Sequence, residues 1–329
     1  MKTLTRTLLL LIAAVLVSGA ADAAEVAAQA EENSIQKAVL VTGASTGIGR
    51  KITEVLAARG VFVYAGARKD QDLKELDAID NVQSIRLDVT IQEDIDAAVE
   101  TITKEGRGLY GLVNNAGVAI LAPLIEVEES EFDFIFDVNI YGPYRITKAF
   151  SPLLIESKGR ITTISSISGI LSGTFFGPYS MSKHAMEAYS DSLAREMRKF
   201  DVTVSVVEPG NYSSAIGTTL KKRMDAQGVD LEASLYQEEM QAVVDRVGDR
   251  SRHKEPDEVA EAVYHALFDP KPKMRYMVVP NQKEAEWTIR KAIQELVELN
   301  QEHAFSYDRD ALIEMLDEAL AATARSDGN

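Results

Sequence analysis

Seven short apolar runs are spaced along this chain at intervals a helix can fill, and that alternation limits the fold more than any other feature. The runs are residues 38–41, 61–64, 82–89, 112–113, 161–164, 202–207 and 276–279. They are nearly all apolar, as strands buried on both faces must be, and helical stretches separate nearly all of them. Strands alternating with helices predict a parallel sheet with right-handed crossovers, covered on both faces. The expected class is therefore α/β, a doubly wound parallel sheet of about seven strands spanning residues 37–281, with no linker to split it. Two amphipathic stretches, 283–299 and 310–321, follow as an extension. Core packing, a subunit contact or a membrane-surface rim would each suit them.

The first strand runs into Thr42-Gly-Ala-Ser-Thr-Gly-Ile-Gly49. Glycines at 43, 47 and 49 permit a tight turn and close approach of backbone to a ligand. The helix that follows points its first N–H groups at whatever anion sits there. Polar clusters also close later strands: Asn114-Asn-Ala-Gly117, Ser165-Ser166 and Glu208-Pro-Gly210. In open α/β sheets ligands bind beyond the carboxyl ends of the strands, so these clusters converge on one edge.

A second constellation lies on the helix after the fifth strand, Tyr179-Ser-Met-Ser-Lys183. Residues four apart share a helix face. An ammonium beside a phenol favours the phenolate, so Tyr179 is expected to titrate below its unperturbed value of about 10. Such a tyrosine exchanges a proton with an alcohol or carbonyl oxygen.

Composition excludes several alternatives. A formal net charge of −16 argues against a phosphate-backbone partner, so no nucleic acid is expected. The absence of cysteine rules out disulfides and thiolate metal sites, and the four histidines show no ligand spacing. At the N-terminus, Lys2 and Arg6 precede an apolar stretch over 8–17 and an Ala21-x-Ala23 cleavage pattern. Residues 1–23 thus read as an export signal and 24–36 as a loose leader. The apolar stretch is too short for a stable span, which needs roughly 20 residues. A periplasmic or secreted protein follows if the signal is used; a cytoplasmic one follows if it is not.

Taken together, Thr42–Gly49, Asn114–Gly117, Ser166, Tyr179-x-x-x-Lys183 and Pro209-Gly210 resemble the short-chain dehydrogenase/reductase family, over roughly residues 39–279. The resemblance implies a Rossmann-type fold and a catalytic set of Asn139, Ser166, Tyr179 and Lys183. Tyr179 would act as general acid or base, and Lys183 would lower its pKa and bond the cofactor ribose. Ser166 would bond the substrate oxygen, and Asn139 would hold a water that links Lys183 to bulk. The cofactor set implied is Gly43, Ser45, Thr46, Gly47, Ile48 and Gly49 at the pyrophosphate, and Asp88 and Val89 at the adenine. Asn115 and Tyr212 would serve the nicotinamide half, with Tyr179 and Lys183.

Cofactor choice turns on the end of the second strand. An acidic residue there would bond the NAD ribose and repel a 2′-phosphate. Ala67 and Arg68 stand there instead, so NADP is expected over NAD. Residues 210–252 form a long insertion in which Leu231, Leu235, Tyr236, Met240, Val243, Val244 and Val247 recur at helical spacing, as a packed helix or a lid. Leu171, Phe175, Phe176 and Met181 are expected to add apolar wall near Tyr179. The general look is that of steroid and retinol dehydrogenases, implying an apolar alcohol or carbonyl substrate. The family's usual interface, residues 132–154 with the Tyr179 helix, implies a homodimer or homotetramer. A dinucleotide-binding sensor or scaffold with little turnover is the alternative.

Overall fold

The computed structural model describes residues 36–248 and 253–328. The expected signal over 1–23, and all but the last residue of the leader over 24–36, lie outside the described residues. β1 (Ala38–Val41) is the central strand, and none of its residues is more than 1% exposed. It pairs in parallel with β2 (Phe62–Ala67) on one side and β4 (Gly111–Asn114) on the other. β3 (Val82–Arg86) adds to β2; β5 (Arg160–Ile164), β6 (Thr203–Pro209) and β7 (Arg275–Val278) extend the other side. The order β3-β2-β1-β4-β5-β6-β7 reverses direction between β1 and β4. That reversal is the topological switch point, where the loops after adjacent strands part and leave a crevice.

The two faces are filled by different helices. Alternate residues of β1 and β2 (Val39, Val41, Val63, Ala65) pack against α1 (Gly47–Ala58) and against α9 (Asp257–Phe268), with Leu76 from α2 (Asp70–Asp77). The intervening residues (Leu40, Tyr64, Leu112, Ile161) pack under α3 (Gln92–Glu105), α5 (Gly142–Glu156) and α6 (Gly177–Met197). Between β4 and α5 lie α4 (Glu129–Phe136) and a π-helical turn over Asp137–Tyr141. Two-sided burial is why these strands read as continuous apolar runs, each aliphatic side chain contributing about 1.5–3 kcal/mol.

Three expectations need correction. Strand 82–89 stops at Arg86, because Asp88 turns back to accept the Thr90 N–H and hydroxyl. The insertion holds two helices, α7 (Ile216–Gln227) and α8 (Gln237–Gly248). Gly228 at φ +63° ends α7, and Leu231 falls in a 3-10 turn rather than in the helix its spacing predicts. The apolar stripe of α10 (Gln282–Leu299) does not serve the core: Glu284 and Thr288 are buried, while Trp287, Ile289, Ile293 and Leu296 are each about half exposed. α11 (Arg309–Gly328) also leaves Leu316 and Leu320 exposed. No helix among the described residues is long and apolar enough to cross a membrane.

Candidate active site

The glycine turn after β1 has the geometry its spacing implies. Gly43 (φ +64°) and Gly47 (φ +55°) occupy the left-handed region, where a side chain is strained. A Cβ on Gly43 would stand 2.9 Å from the Ala116 Cα, and one on Gly47 would stand 3.1 Å from the Ser214 Cα. At Gly49 it would collide with the Asn115 amide and the Gly43 carbonyl. Three glycines thus keep open a backbone cradle that side chains would fill. Thr46 precedes α1 with its hydroxyl uncommitted to a cap, and no acidic residue lies in the helix's first turn. N–H groups of the first turn, aimed at this space, suit a pyrophosphate. The residues present therefore fit a dinucleotide.

The neighbouring loop is locked to this turn. The Thr42 hydroxyl accepts the N–H groups of Asn115 and Ala116, each at 3.0 Å. The Asn115 amide donates to the carbonyls of Thr42 (2.9 Å) and Gly43 (3.1 Å). Asn115 thus serves to clamp two loops at the switch point. Ser45 and Ile48 are half-buried in the turn and Thr46 is exposed.

The remaining residues of the implied cofactor set differ in exposure and in partners. The Tyr212 ring is only 1% exposed, and its hydroxyl donates to Glu258 Oε2 at 2.5 Å. Burial first and the Glu258 carboxylate next push its pKa up. Val89 is 5% exposed and packs where a Cβ on Gly142 would fall. Arg68 is well exposed and lies 3.3 Å from Asp88. Burial would raise the Asp88 carboxyl, but bonds from Thr90 and Arg68 outweigh it and hold the pKa below its ordinary value. Arg86, which the sequence reading passed over, pairs in register with Ala67 and donates to the Arg68 carbonyl at 3.2 Å. Strand pairing, invisible before the register was known, makes Arg86 Arg68's neighbour.

Pro178 opens α6, where its missing N–H is harmless, so Tyr179 and Lys183 occupy the first two turns. Lys183 is 7% exposed; its Nζ donates to the Ile164 carbonyl at 3.0 Å and lies 5.6 Å from the centre of the Tyr179 ring. Burial lowers its pKa to about 8, against an opposing push from the Glu187 charge one turn on. Asn139, 2% exposed in the π-helical turn, donates to the Val118 carbonyl (3.0 Å) and to Ser182 Oγ (2.9 Å). Its Oδ1 accepts the Val118 N–H at 2.9 Å. Both amide hydrogens are committed, so a water could meet the side chain only at Oδ1. Ser182 in turn donates to the Tyr179 carbonyl at 2.7 Å, tying Asn139 to the first turn of α6. Ser166 follows β5, 9% exposed, with its Oγ accepting the Ser168 N–H at 3.1 Å and donating weakly to the Pro209 carbonyl at 3.4 Å. A bond that long is readily exchanged for a substrate oxygen.

The half-buried Tyr179 ring packs with Phe175 and Phe176 against Ala119, Leu121, Leu220 and Met240. Ala119, Leu121, Leu220 and Met240 of this cluster, though not Tyr179 itself, also line a cavity of about 560 Å³ covered by α7 and α8, with Glu126, Glu128 and Asp230 among its lining. Leu171 stands outside this cluster. Met181, expected in the same wall, is instead 47% exposed and lines an open groove with Phe132, Phe136 and Tyr141. That groove is larger, at about 610 Å³, but shares no residue with the cluster around Tyr179.

This geometry has close counterparts. The family model for short chain dehydrogenases matches residues 37–250. An uncharacterized oxidoreductase of Escherichia coli, YbbO, is 33% identical over 251 residues, covering 74% of this chain and 86% of that protein. The mitochondrial D-beta-hydroxybutyrate dehydrogenase of mouse is 37% identical over 200 residues, 58% of each chain. Human retinol dehydrogenase 16 is 36% identical over 192 residues, 57% of this chain and 60% of that one. The chain thus spans 58% and 60% of the lengths of these two dehydrogenases.

Among solved structures, a short-chain dehydrogenase from Streptomyces avermitilis superposes with a TM-score of 0.69 at 28% identity, covering 81% of this chain and 95% of that one. Two more, at 22% identity, share the fold. One is a Burkholderia phymatum protein in complex with NAD (TM-score 0.69, 83% of this chain, 98% of that one). The other is ElxO with NADP bound (TM-score 0.61, 76% and 99%). By these matches the chain belongs to the short-chain dehydrogenase/reductase family.

Proposed function

We propose that the protein transfers hydride between NADP(H) and a secondary alcohol or carbonyl of an uncharged, largely apolar molecule. The observation that carries this reading is the buried Lys183 beside Tyr179, whose ring packs on the apolar residues Ala119, Leu121, Leu220 and Met240 that also line the neighbouring cavity. When bound, the dinucleotide supplies the hydride donor or acceptor. Tyr179 delivers the proton to the substrate oxygen in reduction and removes it in oxidation. Lys183, charged below about pH 8, stabilises the phenolate left behind. Ser166 gives up its long bond to Pro209 and donates to the oxygen on which charge develops. Asn139 holds the Tyr179–Lys183 turn in place through Ser182.

Arg68 and Arg86, side by side on the β2–β3 edge, support a 2′-phosphate. The cavity supports a neutral substrate. Arg223 is the only cation among the described residues that line it. Its guanidinium is held by both Glu131 oxygens (2.6 and 2.9 Å) and lies 3.6 Å from the Phe134 ring centre. A carboxylate substrate, which the name of the mouse relative indicates for that protein, would meet no available cation there. The name retinol dehydrogenase is the better guide. Matched pairs of ketones with and without a carboxylate test this. Higher kcat/KM for the neutral member of each pair is expected with NADPH; a consistent preference for the acids would overturn the substrate class.

The proposal extends to location and assembly. Export would use residues 1–23, and a mature chain beginning at Ala24 would support it. Self-association would cover the exposed Tyr141, Tyr144 and Met181.

A further inference from the structure

Behind the acid/base pair lies a second set of buried ionisable groups that the reaction as described does not use. Glu187 sits one helical turn beyond Lys183, and Glu208, 1% exposed, stands near the end of β6. Arg275, from β7, reaches both. Its Nε lies 2.6 Å from Glu208 Oε1, and its Nη2 lies 2.9 Å from Glu187 Oε2 and 3.1 Å from Asp191 Oδ1. One guanidinium therefore faces three carboxylates, two of them out of water. A like pair of buried carboxylates does not hold two charges readily.

The polar atoms left over point the same way. Oε1 of Glu187 and the Ser165 hydroxyl are buried with no hydrogen-bond partner among the described residues, while Oε1 of Glu208 has only the Arg275 Nε. The same Arg275 Nε lies 3.2 Å from Glu187 Oε2 and 2.6 Å from Glu208 Oε1, and because ionised carboxylates only accept, a direct hydrogen bond between two held this close requires a proton on one of them. Gly169 makes the space: a Cβ there would come 2.9 Å from Glu187 Oε1 and 3.1 Å from Ser165 Oγ. Glu187 thereby lies against the same loop that presents Ser166.

The charged groups facing the pair are few. α6 supplies Lys183 and Asp191, and β7 supplies Arg275. α9 lies on the opposite face of the sheet. Glu131 of α4 and Asp137 of the π-helical turn, on elements also packed against α6, are engaged by Arg223 and Arg145. The Ile167–Gly169 turn carries no charge.

We propose that Glu187 and Glu208 are positioning residues that share one buried proton and so hold Lys183 in its charged form, an inference that rests on the acid/base assignment of Tyr179 and Lys183. The pair is a negative charge placed one turn from the ammonium, and it becomes more negative when the shared proton leaves. Burial, with the Glu187 charge next, pushes Glu208 up to about 7. Loss of the shared proton and loss of the Lys183 proton thus fall in the same range of pH, near 7 to 8.

The test reads Tyr179 directly, as the tyrosinate absorbance of each protein minus that of its Tyr179→Phe counterpart. Glu187→Gln removes the charge nearest Lys183, so Lys183 loses its proton at lower pH and Tyr179 ionises at higher pH. The midpoint should rise by about one unit, roughly tenfold less tyrosinate at a given pH. Glu208→Gln keeps a donor for Glu187 and removes only the second ionisation. It should match wild type below about pH 7 and fall behind it above. In both variants the alkaline limb of kcat/KM should move to lower pH. A purely structural role would lower the melting temperature and leave these midpoints in place, and midpoints that coincide with wild type overturn the proposal. If Glu187→Gln does not fold, Glu208→Gln decides alone. The absorbance needs no turnover, so a shifted midpoint in a protein that reduces no carbonyl would defeat the functional reading and leave the coupling standing.

Discussion

A lysine ammonium inside a protein gives up hydration worth several kcal/mol, and it persists there only where something negative faces it. Lys183 has the Ile164 carbonyl at 3.0 Å and the Glu187 charge one turn away. Its pKa is still lowered to about 8, on the order of 3 kcal/mol against charging. Because this is a depressed cation, the Lys183 charge is present below about pH 8 and lost above it, and with it any support for a Tyr179 phenolate. Arg68 shows the opposite case, a cation in solvent with one partner, Asp88, at 3.3 Å. Arg68→Asp should raise KM for NADP by tenfold or more while KM for NAD stays level or falls. Unchanged cofactor kinetics would remove Arg68 from the site.

At the scale of elements, α6 holds the Tyr179–Lys183 pair, and α7 with α8 covers the cavity beside it. Two ties hold this cover down: Arg223 on Glu131, and Glu126 accepting the Ser234 hydroxyl (2.7 Å) and the Leu235 N–H (2.9 Å). Arg223→Ala removes a bidentate, half-buried pair and leaves Glu131 with Gln227 alone. The expected result is a several-fold rise in substrate KM with kcat little changed; an unaltered KM would show that the tie does not shape the cavity. The legibility of these elements in the sequence follows from what fixes them. The strands and the glycine turn depend on local pattern, and Tyr179–Lys183 on helical spacing alone, so each was readable. Arg86 and Glu208 depend on strand register, which no short window encodes. The Leu231–Val247 stripe misled because Gly228 and the turn after it interrupt the helix while its apolar residues still face one cluster. Tyr212 carries no local signal that its ring would be buried. Glu187, four residues after Lys183, was legible and was passed over.

For the molecule as a whole, the described surface leaves Tyr141, Tyr144 and Met181 exposed on one side of a protein with net charge −16. A charge that high keeps copies apart unless apolar area offsets it. If a second copy covers this side, Met181→Asp should convert a homodimer or tetramer to a smaller species in sedimentation, with the melting temperature lowered in step. A wild type that sediments as a monomer would reject the assembly and leave the site untouched.

The central claim is that this site moves a proton through Tyr179 while a bound dinucleotide carries the hydride. Tyr179→Phe isolates it, because the ring still packs on Phe175, Phe176 and Leu121 and only the hydroxyl is lost. The measurement is NADPH consumption with an apolar ketone, made beside NADPH affinity by calorimetry on the same samples. The account predicts affinity within a few-fold of wild type and a kcat lower by about 10²–10⁴, the usual worth of a positioned general acid. Near wild-type turnover in the variant would contradict it.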